Sequence, residues 1–187
     1  MAAPNTKKYR AFYLDLLEKR RQYQDVFNSL HEALELDPKW KDGWKRLSVF
    51  TTCENFGETP FMTKAFFMNV AIPAGKPARD FRAFYVRTQL KQETLSEVEQ
   101  ALSSSLDTDP NWAAGWFYLS RVKLQTKDVA EAMTCLENAI ILRPDKFRYR
   151  DAYLDILLKK EQYDDVEQCL ADGFSYKVKW VKGWETI

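Results

Sequence analysis

The chain has 187 residues, with 28 Lys and Arg against 27 Asp and Glu and a single His. That balance supplies no net field to draw nucleic acid or an anionic membrane, and a hydrophobic content of 45% excludes a disordered chain. No apolar run approaches the ~18 residues of a bilayer span, and three scattered cysteines with one His exclude a zinc site of common type.

Cys53, Cys135 and Cys169 are odd in number and far apart, which predicts reduced, buried thiols in an intracellular, reducing compartment. The first residues carry no apolar stretch of signal-peptide length.

All six tryptophans fall in three copies of W-x-x-G-W: Trp40 to Trp44, Trp112 to Trp116 and Trp180 to Trp184. The copies are 72 and then 68 residues apart. The segment before each copy repeats too, as Tyr9-Arg10-Ala11-Phe12-Tyr13, Phe81-Arg82-Ala83-Phe84-Tyr85 and Tyr149-Arg150-Asp151-Ala152-Tyr153. Residues 9–44 and 149–184 align without a gap, with 16 of 36 positions identical. A shift of 140 is four times 35, so each long repeat holds two helix pairs.

Taken in chain order, helices are predicted near 7–20, 23–36, 40–54, 60–72, 79–92, 94–107, 112–126, 128–142, 146–160 and 163–172, with a last one beginning near 177. The first carries Tyr9, Phe12, Tyr13, Leu16 and Leu17 on one face at i, i+3, i+4, i+7 and i+8. Thr59-Pro60 gives the fourth helix an N-cap and a first-turn proline. Thr94 with Glu97, and Asp128 with Glu131, fit capping boxes. Pro38, Pro110 and Pro144 fall between helices. The four-residue difference between 72 and 68 places an insertion in Pro73–Ala78, read as a loop.

The shorter unit is plainest at residues 113–144, where Trp116, Leu119, Ser120, Ala132, Leu136, Ala139 and Pro144 stand at the positions of a tetratricopeptide repeat. The segment resembles that family; the irregular units resemble pentatricopeptide repeats equally well. The resemblance covers residues 7–38 and 113–144 best and 41–73 least. Arg10, Arg82 and Arg150 depart from it by standing where an aromatic is usual. It implies an all-α, right-handed solenoid of about five antiparallel helix pairs plus a C-terminal helix. Residues 1–187 would form one domain, with long repeats at 7–78, 79–146 and 147–187.

No constellation supports catalysis. His31 has no nucleophile motif beside it, and the carboxylate pairs Asp164-Asp165 and Asp107-x-Asp109 sit at helix ends, where they suit the dipole and the turn. No catalytic residue, metal ligand, cofactor site or small-molecule substrate is expected. The W-x-x-G-W motif reads either as an aromatic platform for a ligand or as a helix–helix seam in which Gly permits close approach; the seam is favoured because the motif recurs where the repeat needs its core. Basic clusters at Lys19-Arg20-Arg21, Lys39–Arg46 and Lys177–Lys182 allow an RNA-binding reading, as pentatricopeptide-like arrays often bind single-stranded RNA. Interleaved acids disfavour it.

The expected function is therefore a non-catalytic protein–protein interaction or structural subunit of a hetero-oligomeric assembly, with RNA binding as the alternative. In tetratricopeptide proteins the first helix of each pair lines the binding groove. That resemblance assigns partner contacts to Arg87, Lys91, Phe117, Arg121, Leu124 and Lys159, a basic and apolar set suited to an acidic or amphipathic peptide. The apolar segment 60–72 adds Phe61, Phe66, Phe67 and Met68 as partner contacts, with burial in the array the competing reading. Trp180 and Trp184 are added at the C-terminal end, on a helix expected either to cap the array or to leave one edge open to another subunit. In size and architecture the chain is similar to the small helical-repeat subunit of the euglenozoan mitochondrial ATP synthase, which sits outside the catalytic head on an alpha subunit. That resemblance implies the mitochondrial matrix side, with the cytoplasm as the location otherwise.

Overall fold

The computed structural model describes residues 7–51, 60–91, 95–176 and 180–186. All the regular structure among these residues is helical, with no strand. Packing divides the chain into two compact units, Met1–Thr94 and Leu95–Ile187. The division falls inside the second long repeat, between its first two helices. Thr59, Thr94, Cys53, Lys177, Lys179 and Ile187 lie outside the described residues, and with them the two caps predicted on Thr59 and Thr94.

The first unit begins with α1 (Lys7–Lys19), α2 (Tyr23–Leu36) and α3 (Lys41–Phe50). α2 buries Val26, Phe27, Leu30, Ala33 and Leu34, the i, i+1, i+4, i+7, i+8 stripe of a half-buried helix. The helix ends at Asp37, whose N–H still donates to the Ala33 carbonyl, and Pro38 cannot continue it.

The segment expected to be one helix over 60–72 is broken into pieces. A 3-10 turn at Pro60–Met62 leads to α4 (Lys64–Phe66), a π turn at Phe67–Ala71, α5 (Ile72–Ala74) and a second 3-10 turn at Lys76–Ala78. The Thr63 hydroxyl caps α4 by accepting from the Phe66 N–H at 3.1 Å. Pro73 explains the π turn. Its ring would strike the carbonyl four residues back in an α-helix, and widening the preceding turn removes that clash. Pro73 and Ala74 are thus helical, not loop. Gly75, at φ +64°, then ends the segment in a conformation that glycine adopts without cost. α6 (Arg79–Lys91) closes the unit.

The second unit contains α7 (Leu95–Thr108), α8 (Ala113–Gln125), α9 (Val129–Leu142), α10 (Phe147–Lys159), α11 (Tyr163–Ser175) and the short α12 (Val181–Thr186). The last helix therefore begins four residues later than its sequence suggests. Asp128 caps α9 by accepting from the Glu131 N–H at 3.1 Å, half of the predicted capping box.

Three hairpin turns share one geometry. Arg21, Lys127 and Glu161 follow α1, α8 and α10 with φ of 57°, 65° and 56°. At each, the next residue donates back five positions: Gln22 to Leu17, Asp128 to Lys123 and Gln162 to Leu157. This is the Schellman closure, which saturates the last helical carbonyls. Here it is made without glycine, so each turn carries the strain of a side chain in the left-handed region.

Candidate functional site

The W-x-x-G-W motif places its first tryptophan at the N-cap of a helix. Trp40 and Trp112 stand at the N-cap positions of α3 and α8, without a side-chain capping bond, and Trp180 immediately precedes α12. The three indoles are buried to 2%, 3% and 2% exposure. Each folds back over the glycine of its own motif. A Cβ would lie 2.4 Å from the Trp40 ring at Gly43, 2.2 Å from Trp112 at Gly115 and 2.6 Å from Trp180 at Gly183. The glycine therefore makes room for its own tryptophan, a tighter requirement than the helix–helix approach read from sequence. Gly173 of α11 gives Trp180 a second bare surface, at 2.2 Å.

The second tryptophan behaves differently in each copy. Trp44 is 3% exposed and packs on Phe66 and Phe81, with ring centroids 5.9 and 5.6 Å away. Its Nε1 donates to the Pro38 carbonyl at 2.7 Å. Trp116 makes the equivalent bond to Pro110 at 2.8 Å and packs, half-buried, against Ala113, Ala139 and Tyr149. Trp184 is 65% exposed and touches the Phe174 ring at 4.7 Å. Trp180, by contrast, is part of the α10–α11 core, with Nε1 donating to Asp151 Oδ1 at 2.6 Å. Its burial removes it from the candidate partner surface.

The apolar 60–72 segment is also core. Phe61, Phe66 and Phe67 are buried, and Met68 is half-buried. Phe67 stacks on Tyr85 at 4.2 Å, and Phe61 meets Phe27 and Phe66 edge-on. Of the two readings of this segment the structure places these rings inside the first unit, because the broken helix lets them turn toward α2, α3 and α6. His31 lies against Phe66 at 4.9 Å and Glu35 at 3.6 Å, a partly buried histidine with an ordinary packing role.

Four residues of the remaining set come together in the second unit. Phe117, Arg121 and Leu124 of α8 and Lys159 of α10 line one cleft of about 510 Å³. Their neighbours there are Ser120, Val129, Ala152, Asp155, Ile156 and Lys160. On both helices the lining residues recur at i, i+3, i+4 and i+7, so the cleft is the facing surface of two first helices. Ala152, Asp155 and Ile156 were missed in the sequence, although they lie on the same helical face as Lys159. Arg87 is exposed on α6 of the first unit, and the side chain of Lys91 lies outside the described residues.

The cleft floor is apolar, and the Phe117 ring in it is held from two sides. Tyr149 packs at 5.0 Å and the Arg148 guanidinium lies 4.7 Å over its face. Asp155 is neutralised by Lys182 Nζ of α12 at 2.5 Å. Lys123 points elsewhere, held by Glu99 at 2.8 Å and Glu131 at 3.4 Å. Arg121 and Lys159 have no ion-pair partner among the described residues, so the rim carries uncompensated positive charge.

A second cleft, about 300 Å³, lies between α9, α10 and α11 and is lined by Glu137, Arg150, Tyr153, Asp165, Cys169 and Asp172 among others. Tyr153 donates to Glu137 at 2.7 Å. Burial, then the Glu137 bond, pushes the Tyr153 hydroxyl well above the usual range. Burial likewise pushes the Cys169 thiol up, and the Cys135 thiol up to about 11, so both are held protonated and are poor nucleophiles. Among the described residues no group of three His, Cys, Asp or Glu side chains could hold a metal ion, and no helix is long and apolar enough to cross a membrane.

No protein-family model matches the sequence, and no curated protein matches it. Solved structures match it by shape. A crystal structure of MamA has a TM-score of 0.54 at 13% identity, over 88% of this chain and 94% of that one. A MamA RS-1 ArsTM double mutant gives 0.55 at 10% identity, over 91% and 93%. Another MamA crystal structure gives 0.53 at 14% identity, over 94% and 98%. MamA is a TPR-like helical-repeat protein. At these identities the likeness concerns the fold alone, and the fold of this chain is accordingly the all-α, TPR-like helical repeat.

Proposed function

We propose that the chain is a non-catalytic interaction subunit whose α8–α10 cleft holds an acidic, amphipathic segment of a partner protein. The observation that carries this reading is the combination of an apolar floor, built on Phe117, Leu124 and Ile156, with Arg121 and Lys159 at its rim, two cations that have no ion-pair partner among the described residues. Apolar side chains of a partner helix would fill the floor, and its carboxylates would meet the rim.

The finer reading is a peripheral subunit of the mitochondrial ATP synthase catalytic head, contacting an alpha subunit. Its support is the resemblance in size and architecture. The alternative, RNA binding, draws on the exposed Lys19–Arg21 cluster.

Affinity purification of the full chain and of Arg121→Glu/Lys159→Glu separates these readings. The expected result is a protein partner, resistant to nuclease, that is lost from the charge-reversed variant. ATP synthase subunits among the retained chains would support the finer reading. Nuclease-sensitive retention that falls steeply with salt would favour RNA. A partner retained equally by the variant would contradict the cleft assignment.

A further inference from the structure

The two ends of the repeat expose the two halves of a seam that the chain itself closes twice. In the first unit the seam is Trp44 of one motif copy on Phe81, the first aromatic of the next long repeat, 5.6 Å apart. In the second unit it is Trp116 and Ala113 against Tyr149, again the first aromatic of the following repeat. Phe81 is 1% exposed and Tyr149 4%.

The third motif copy has the same donor half. Trp184 stands in the register of Trp44 and Trp116, and Val181 in that of Ala113, yet they are 65% and 66% exposed. The first repeat has the same acceptor half. Tyr9 stands in the register of Phe81 and Tyr149 but is 60% exposed, and beside it Phe12 and Tyr13 are 68% and 51% exposed. Single exposed aromatics need no explanation; matched sets at both ends of a repeat do.

Sequence register matches charge as well. The residue after the second tryptophan and the residue before the next first aromatic are Lys45 and Asp80, then Phe117 and Arg148, then, across the two ends, Glu185 and Lys8. The middle pair is in contact, with the Arg148 guanidinium over the Phe117 ring. The other two pairs carry opposite charges.

We infer that the occupant of each open half is a second copy of this chain. Val181 and Trp184 of one copy pack on Tyr9, Phe12 and Tyr13 of the next, forming a third seam head to tail. The two surfaces differ, so the contact is heterologous. A heterologous contact leaves one free half at each end of an open oligomer, so copies add past a dimer until the ends meet in a ring.

Sedimentation of the full chain over a range of concentrations tests this. The wild-type chain is expected to grow beyond dimer as concentration rises. Trp184→Ala, and independently Val181→Glu, removes the donor half; Tyr9→Ala/Phe12→Ala removes the acceptor half. All four side chains are exposed, so helicity and the denaturant midpoint should hold. Each variant alone should remain monomeric, while a mixture of a donor-half variant with the acceptor-half variant should form dimers and stop there. A wild-type chain that stays monomeric at its highest soluble concentration would overturn the inference. So would a wild-type chain that stops at dimer, or assembly that persists in either class of variant.

Discussion

The first and third copies of W-x-x-G-W have the same three fixed residues and the same local fold, but opposite surroundings. Trp40 and Trp180 are both buried over a glycine of their own motif, whereas Trp44 is 3% and Trp184 65% exposed. The first tryptophan and the glycine form a local lock at the start of the helix in each copy. The second tryptophan is a projecting group whose burial depends on what the next repeat supplies. Phe66 and Phe81 supply it for Trp44.

The largest expected effect is at the lock. Trp112→Ala should cost ~3–5 kcal/mol, as for other buried large aromatics, and urea unfolding reads it directly. An unchanged midpoint would mean that the indole is not part of the core. Filling the lock is expected to cost less. Gly115→Ala puts a Cβ 2.2 Å from the Trp112 ring and must displace it. The expected loss is ~1–3 kcal/mol from overpacking. Tolerance of Gly115→Ala would show that the indole can tilt away freely.

The copies also differ in how the lock tryptophan bonds. Trp180 Nε1 donates to Asp151, while Trp40 Nε1 is buried without an acceptor among the described residues. Ala11 stands where the repeat register puts the counterpart of Asp151. Asp151→Ala should therefore cost ~1–3 kcal/mol by leaving a buried donor unpaired. Ala11→Asp should stabilise the first copy, by ~1 kcal/mol after desolvation of the new carboxylate. A fall in melting temperature for Ala11→Asp would indicate that the two copies are not equivalent at this position. A smaller gain is expected at the turn. Glu161→Gly relieves a left-handed side chain at φ 56° and should stabilise by ~0.5 kcal/mol, the relief being partly offset by glycine's freedom in the unfolded chain.

Most of the helix boundaries were legible because each is written locally, by apolar spacing, a cap or a proline. The cleft was legible as far as the family register reached: it gave Phe117, Arg121, Leu124 and Lys159, but not Asp155 or Ile156. The broken helix at 60–74 was not legible, because Pro73 reads as a stop when a wider turn can admit it. Nor was the fate of Phe61, Phe66 and Phe67, since an apolar stretch looks the same whether its own unit or a partner covers it. The same ambiguity hid the difference between Trp180 and Trp184, two indoles four residues apart of which one is core and the other surface.

Paired unfolding of Trp44→Ala and Trp184→Ala, in dilute solution where the chain is monomeric, tests most directly whether one motif serves two purposes. Trp44→Ala should lower stability by ~3–5 kcal/mol, and Trp184→Ala by less than ~0.5 kcal/mol, as for an exposed side chain. Equal losses in the two variants would contradict the account, because Trp184 would then be part of the folded core of its own chain.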